Sequence, residues 1–134
     1  MQEKKIRKIL LIDDDPAHAL MSKRALRPLA EALSVSSVTS LKEAELLLQN
    51  AAEAPDLFLV DLNLNNESGL GIFSLRLKLA LPNDAPVLIL STSPTLEDMQ
   101  RSYTAGANCY LIKDNDLARY SQDLLAAVRY FLIS

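Results

Sequence analysis

The chain has 134 residues, 49% of them hydrophobic, and its 14 Lys and Arg against 17 Asp and Glu leave a net charge of −3. These figures suit one compact domain over 1–134 and exclude a basic nucleic-acid arm or membrane-binding patch, so this domain alone is expected to bind no nucleic acid. The single cysteine, Cys109, allows neither an internal disulfide nor a Cys-rich zinc site and suits a reducing, cytoplasmic setting; no apolar run approaches the roughly 20 residues that cross a bilayer, so no membrane partner is expected.

Met1 to Lys8 is charged like the start of a secretion signal, but the apolar run after it, Ile9 to Ile12, ends after four residues at Asp13, Asp14 and Asp15. That run reads as a strand buried on both faces. Pro16 then opens a helix with apolar positions at Ala17, Leu20, Met21, Ala25 and Leu29, and Asp15 sits in its cap region. Ser34 to Val38 is a weaker strand. Ser40 and Glu43 form a capping box for a helix carrying Leu41, Ala44, Leu47 and Leu48. After Pro55 comes a third strand, Leu57 to Val60, then a polar loop from Asn63 to Gly69. A helix from Leu70 to Ala80 follows, ended by Pro82. Pro86 to Leu90 is the fourth strand, and Thr95 to Thr104 the fourth helix, stopped at Gly106. Asn108 to Ile112 is the fifth strand, and Leu117 to Leu132 the last helix.

Five strand–helix units with near-continuous apolar strands predict an α/β fold, a parallel sheet covered by helices on both faces. In such sheets ligands bind at the carboxyl ends of the strands. Those ends carry Asp13 and Asp14, Asp61, Ser91 and Lys113. If strands one and three are neighbours, three carboxylates converge, and two such charges ~4 Å apart repel by roughly 4 kcal/mol at an effective dielectric near 20. A cation must offset them. Hard oxygen ligands with no His or Cys nearby favour Mg²⁺ over zinc. Lys113 and Ser91 add the positive charge and hydroxyl that suit a phosphoryl group.

The motifs Leu11-Ile12-Asp13-Asp14-Asp15-Pro16, Leu59-Val60-Asp61-Leu62-Asn63 with Gly69, Pro86-Val87-Leu88-Ile89-Leu90-Ser91 and Ala105-Gly106-Ala107 through Lys113 carry a resemblance. Taken in order over nearly the whole chain, the sequence resembles a response-regulator receiver domain of two-component signalling. The resemblance implies a flavodoxin-like (βα)₅ three-layer sandwich with sheet order 2-1-3-4-5. It makes Asp61 the phosphoacceptor for a sensor histidine kinase, with Asp13, Asp14, Asp61 and the main-chain carbonyl of Asn63 holding Mg²⁺. Ser91 and Lys113 would pair with phosphoryl oxygens, and Ser91 and Tyr110 would form a switch. As Ser91 moves toward the phosphoryl group, the Tyr110 ring turns inward and changes the face made by helix four, strand five and helix five. That face would bind a partner or a second copy of the chain. Such a protein is a phosphorylation-switched binding module and not an enzyme.

Finer matches, among them Leu90 through Asp98, resemble the small single-domain receivers that partner bacterial phytochrome kinases. A receiver trimmed from a longer DNA-binding regulator is the alternative, since Lys113-Asp114 occurs there as well. A haloacid-dehalogenase-like phosphohydrolase is a remote one, matched only at Asp13 and Asp15, with Pro16 where Gly is needed. Two positions depart from the receiver pattern: Asn65 replaces a frequent Pro and is expected to loosen the loop after Asp61. Asp114 replaces a frequent cis-Pro, leaving the Lys113–Asp114 bond either trans or held cis at ~3–4 kcal/mol. His18 reads as a surface residue, not a phosphohistidine, and Cys109 as a small, partly buried hydrophobe.

Overall fold

The computed structural model describes residues 5–81 and 84–133. Five parallel strands form one sheet: β1 (Arg7–Ile12), β2 (Leu33–Val38), β3 (Leu57–Asp61), β4 (Val87–Ser91) and β5 (Cys109–Ile112). Their order is β2-β1-β3-β4-β5. Five helices connect them: α1 (Pro16–Ala25), α2 (Leu41–Leu48), α3 (Gly71–Lys78), α4 (Leu96–Ala105) and α5 (Leu117–Leu132). This is the flavodoxin-like architecture expected of the sequence.

Alternate strand residues face opposite sides of the sheet, and the core divides accordingly. Ile9, Leu11, Leu57, Leu59, Leu88 and Leu90 pack with Ala25 of α1 and with Tyr120, Leu124 and Val128 of α5. Leu10, Ile12, Phe58, Val60, Val87 and Ile89 pack on the other side with Ala44 and Leu48 of α2 and Ile72 and Leu75 of α3. The central strands β3 and β4 are buried at every position, which is why they read as unbroken apolar runs. Each such side chain contributes about 1.5–3 kcal/mol on burial.

One polar contact crosses the α1–α5 packing. Tyr120 Oη lies 2.9 Å from Ser22 Oγ, and both residues are buried. Burial pushes the Tyr120 phenol up to about 12, with the Ser22 hydrogen bond opposing the rise and the charges of Asp13 and Asp61 adding to it. The folded protein therefore holds this proton more tightly than the unfolded chain, whose phenol titrates near 10. The resulting stability is intact below pH 10, is lost as pH climbs toward 12, and amounts to about 2–3 kcal/mol. Tyr120→Phe should flatten the decline in unfolding free energy between pH 9 and 11.5, read by urea titration, while costing about 1 kcal/mol at pH 7 by orphaning Ser22.

Several boundaries differ from the sequence reading for definable reasons. Helix α1 ends at Ala25, not Leu29. Pro28 cannot continue an α-helix, and the chain tightens instead into a 3₁₀ turn at Arg27–Leu29. Ser40 caps α2 as expected, accepting from the Glu43 amide at 3.1 Å, but the Glu43 carboxylate reaches back to the Thr39 amide at 2.7 Å rather than to Ser40. The capping box is thus shifted outward by one residue. Helix α3 closes on Ala80 in the left-handed region, φ 50°, with the Leu81 amide donating to the Arg76 carbonyl at 3.3 Å and the Ala80 amide to Leu77 at 3.2 Å. That is a Schellman ending with alanine where glycine usually sits. Pro82, expected to stop this helix, lies outside the described residues. The stretch after Asp61 is a small antiparallel hairpin, Asn63–Leu64 against Glu67–Ser68, not a plain loop. Asn66 turns it at φ 58°.

Candidate functional site

The register of the sheet sets the site. Ile12 pairs with Val60, so Asp13 and Asp61 leave adjacent strands at the same level. Ser91 pairs with Ile112, and the Lys113 amide donates to the Ser91 carbonyl at 2.7 Å, bringing Ser91 and Lys113 to the same rim. Asp13 is 2% exposed, Asp61 8% and Lys113 7%. Oxygen atoms of Asp13, Asp14 and Asp61 all lie within 4.8 Å of one another.

Lys113 is the positive charge inside this cluster. Its Nζ donates to Asp13 Oδ2 at 2.7 Å and lies 3.3 Å from Asp61 Oδ2. Burial pushes the Asp61 carboxyl up; the Lys113 ammonium pulls it down, and the Asp13 charge adds to the rise. Three carboxylate groups share one ammonium. Their donor set, carboxylate oxygens alone, fits a hard divalent cation.

Backbone bonds hold the rim in place. The Asp13 amide donates to the Val38 carbonyl at 3.1 Å, the Asp15 amide to Asp13 Oδ1 at 3.0 Å, and the Asn63 amide to Asp61 Oδ1 at 3.2 Å. Gly69 sits against the Asp61 main chain; a Cβ there would lie 2.0 Å from the Asp61 carbonyl oxygen. Asp15 caps α1, accepting from the Ala17 amide at 2.9 Å and the His18 amide at 3.3 Å, which hold its carboxyl below the usual range. The second aspartate of the phosphohydrolase pattern is therefore committed to a helix end and stands outside the carboxylate cluster.

Ser91 is buried, and its Oγ accepts from the Ser93 amide at 3.0 Å. Tyr110 is also buried, with its hydroxyl donating to the Ser93 carbonyl at 2.7 Å. The main-chain amide of Tyr110, on edge strand β5, donates to the Tyr103 hydroxyl of α4 at 3.1 Å. The two residues expected to form a switch thus meet in the β4–α4 connection, and the Tyr110 ring, expected to turn inward as Ser91 moves, already lies inward in this structure. Cys109 is half-buried as expected, and burial pushes its thiol up, with Asp123 adding to the effect. No peptide bond among the described residues is cis, so Lys113–Asp114 is trans.

One residue at the rim departs from the sequence reading. His18 is not a bystander on the surface: its Nδ1 lies 3.2 Å from Lys113 Nζ and 3.6 Å from Asp15 Oδ2. The partners are 95 positions apart, so no local pattern exposes the contact.

The family model of the response regulator receiver domain matches residues 9–128. The chain belongs to the response regulator receiver family. Among solved structures, the phosphorylated cyanobacterial phytochrome response regulator RcpA superposes with a TM-score of 0.81 at 29% identity, covering 96% of this chain and 95% of that one. The Mn²⁺-bound form of response regulator Rcp1 superposes equally well, 0.81 at 25% identity, over 96% of each chain. Among curated proteins, the transcriptional regulatory protein PrrA of Mycobacterium leprae is 32% identical over 127 residues, 93% of this chain. The nitrate/nitrite response regulator homologue of Haemophilus influenzae is 36% identical over 114 residues, 81% of this chain. The receiver chain spans about half the length of these two curated relatives, 49% and 50%. Receiver domains are phosphoacceptors that pair with sensor histidine kinases and hold Mg²⁺ or Mn²⁺ at an aspartate cluster. Asp13, Asp14 and Asp61 form such a cluster here. No helix among the described residues is long and apolar enough to cross a membrane.

Proposed function

We propose that Asp61 accepts a phosphoryl group from a sensor histidine kinase in the cytoplasm, and that residues 1–134 act as one receiver unit. The observation that carries this reading is the convergence of three carboxylates on one rim with Lys113 between Asp13 and Asp61. Family membership points to Asp61 as the nucleophile; it stands at the end of central strand β3, 3.3 Å from the ammonium and beside Asp13. Asp13, Asp14, Asp61 and the Asn63 carbonyl would hold Mg²⁺, which would supply positive charge against the phosphoryl oxygens.

In the transfer, an Asp61 oxygen forms its bond to phosphorus as the bond from phosphorus to the kinase histidine nitrogen breaks. The nitrogen keeps that electron pair and takes up a proton. Lys113 and the Ser91 hydroxyl pair with the remaining phosphoryl oxygens, so the barrier falls through position and charge rather than acid–base chemistry. Ser91 and Tyr110 read the result. Each is tied to Ser93, so a shift of Ser91 toward the phosphoryl group pulls on the segment that anchors the Tyr110 hydroxyl. The face of α4, β5 and α5 then changes, and a partner or a second copy binds it. The likeness to phytochrome response regulators supports a phytochrome-type kinase as donor.

Asp61→Asn tests the reading. With Mg²⁺ and acetyl phosphate the native chain should take up one phosphoryl group per molecule, seen as a mass increase that decays slowly. The variant should take up none, and uptake should stop when EDTA removes the metal. Rapid multiple turnover, or labelling that survives Asp61→Asn, would overturn it.

A further inference from the structure

We propose that His18 is a positioning residue for Lys113, holding the ammonium between Asp13 and Asp61; the proposal rests on the phosphoacceptor reading above. An ammonium has three N–H donors and no acceptor. Here it faces three acceptors: Asp13 Oδ2 at 2.7 Å, His18 Nδ1 at 3.2 Å and Asp61 Oδ2 at 3.3 Å. With its ring proton on Nε2, His18 offers the Nδ1 lone pair to the ammonium. Its other neighbour, Asp15 Oδ2, is farther away at 3.6 Å and is already committed to the α1 amides through its companion oxygen.

The geometry is uneven. Asp13 holds the ammonium more closely than Asp61 does, yet Asp61 is where the phosphoryl group arrives. His18, projecting from α1, supplies a third anchor that keeps the ammonium from relaxing fully onto Asp13. Because Lys113 is buried, an N–H left without an acceptor would be costly, and the side chain would shift to avoid it. His18 touches neither substrate nor metal in this scheme; it acts through the lysine.

Two variants of the full chain test this. His18→Leu removes the lone pair while keeping most of the bulk. His18→Asn places an amide oxygen on the same carbon that bears Nδ1 and can restore the acceptor. In the unphosphorylated protein, the ¹⁵N-detected ammonium signal of Lys113 should be present in the native chain and in His18→Asn and lost in His18→Leu. With Mg²⁺ and phosphoramidate, His18→Leu should lower the maximal rate of phosphoryl uptake about tenfold, the effect of losing one charge-assisted hydrogen bond, with half-saturation unchanged. His18→Asn should stay within about twofold of the native chain in rate. Equal losses in both variants, or a His18→Leu variant that keeps both signal and rate, would overturn the proposal. If the native chain takes up no phosphoryl group, the Asp61 reading fails while the ammonium signal still judges His18.

Discussion

Replacing Lys113 by methionine should tighten Mg²⁺ binding at least about tenfold while slowing phosphoryl uptake by a factor on the order of a hundred or more. The two effects have one cause. The ammonium lies 2.7 Å from Asp13 and 3.3 Å from Asp61, so in the metal-free protein it serves as the cluster's counter-ion. A divalent cation entering the cluster must compete with it. Methionine keeps the length of the side chain and removes the charge, so the carboxylates attract Mg²⁺ more strongly. The same change removes the donor that would pair with a phosphoryl oxygen, and the chemistry slows. Calorimetry for Mg²⁺ and initial rates with phosphoramidate measure the two separately; Mg²⁺ binding that weakens or stays equal would refute the counter-ion argument.

Stability should follow the same logic. Removing one partner of a buried ion pair costs ~3–5 kcal/mol because the other charge is left uncompensated. Metal-free Lys113→Met should therefore melt well below the native chain, and saturating Mg²⁺ should restore most of the difference, since a ligand that binds only the folded state stabilises it. Rescue by Mg²⁺ but not by an equal ionic strength of NaCl separates specific binding from screening.

Why this cluster is legible in the sequence, while its neighbours are not, follows from the kinds of interaction involved. β3 and β4 are buried on both faces, so their apolar runs stand out, and the first polar residue after each run must lie on the rim. Asp61 and Ser91 are found that way, and Asp13 and Lys113 as the first polar residues after the apolar runs of β1 and β5. The His18–Lys113 contact depends instead on how α1 is rotated over the sheet, which no spacing reveals. The hairpin after Asp61 has strands of two residues, too short for any alternation to register. The true stop of α1, Pro28, lies inside a periodicity that Leu29 prolongs. In each case a tertiary or steric constraint overrode the local pattern.

Gly69→Ala should be the most damaging single-methyl change, destabilising the chain by about 3 kcal/mol and reducing phosphoryl uptake at Asp61 at least tenfold. An added Cβ would meet the Asp61 carbonyl oxygen at 2.0 Å, the Asp61 carbonyl carbon at 3.0 Å and Val60 Cγ1 at 2.8 Å. Backbone cannot yield as a flexible side-chain tip can, and Val60 is fully buried in the core beneath. Relief must come from moving the hairpin and α3 away or pushing the end of β3 aside. The Gly69 amide donates to the Leu62 carbonyl at 2.7 Å, so outward movement breaks the bond that closes the hairpin. Sideways movement shifts Asp61 relative to Asp13 and Lys113, and a displacement of about 1 Å is enough to cost two orders of magnitude in a positioned reaction. Gly71→Ala is the internal comparison: its added Cβ meets only the Leu41 Cδ1 methyl, at 2.7 Å, a side-chain tip that can rotate away. Urea unfolding and phosphoramidate rates on the two variants should therefore diverge, with Gly71→Ala near native in both. Equal losses would show that crowding around α3, and not the approach of Gly69 to the Asp61 backbone, is what the site depends on.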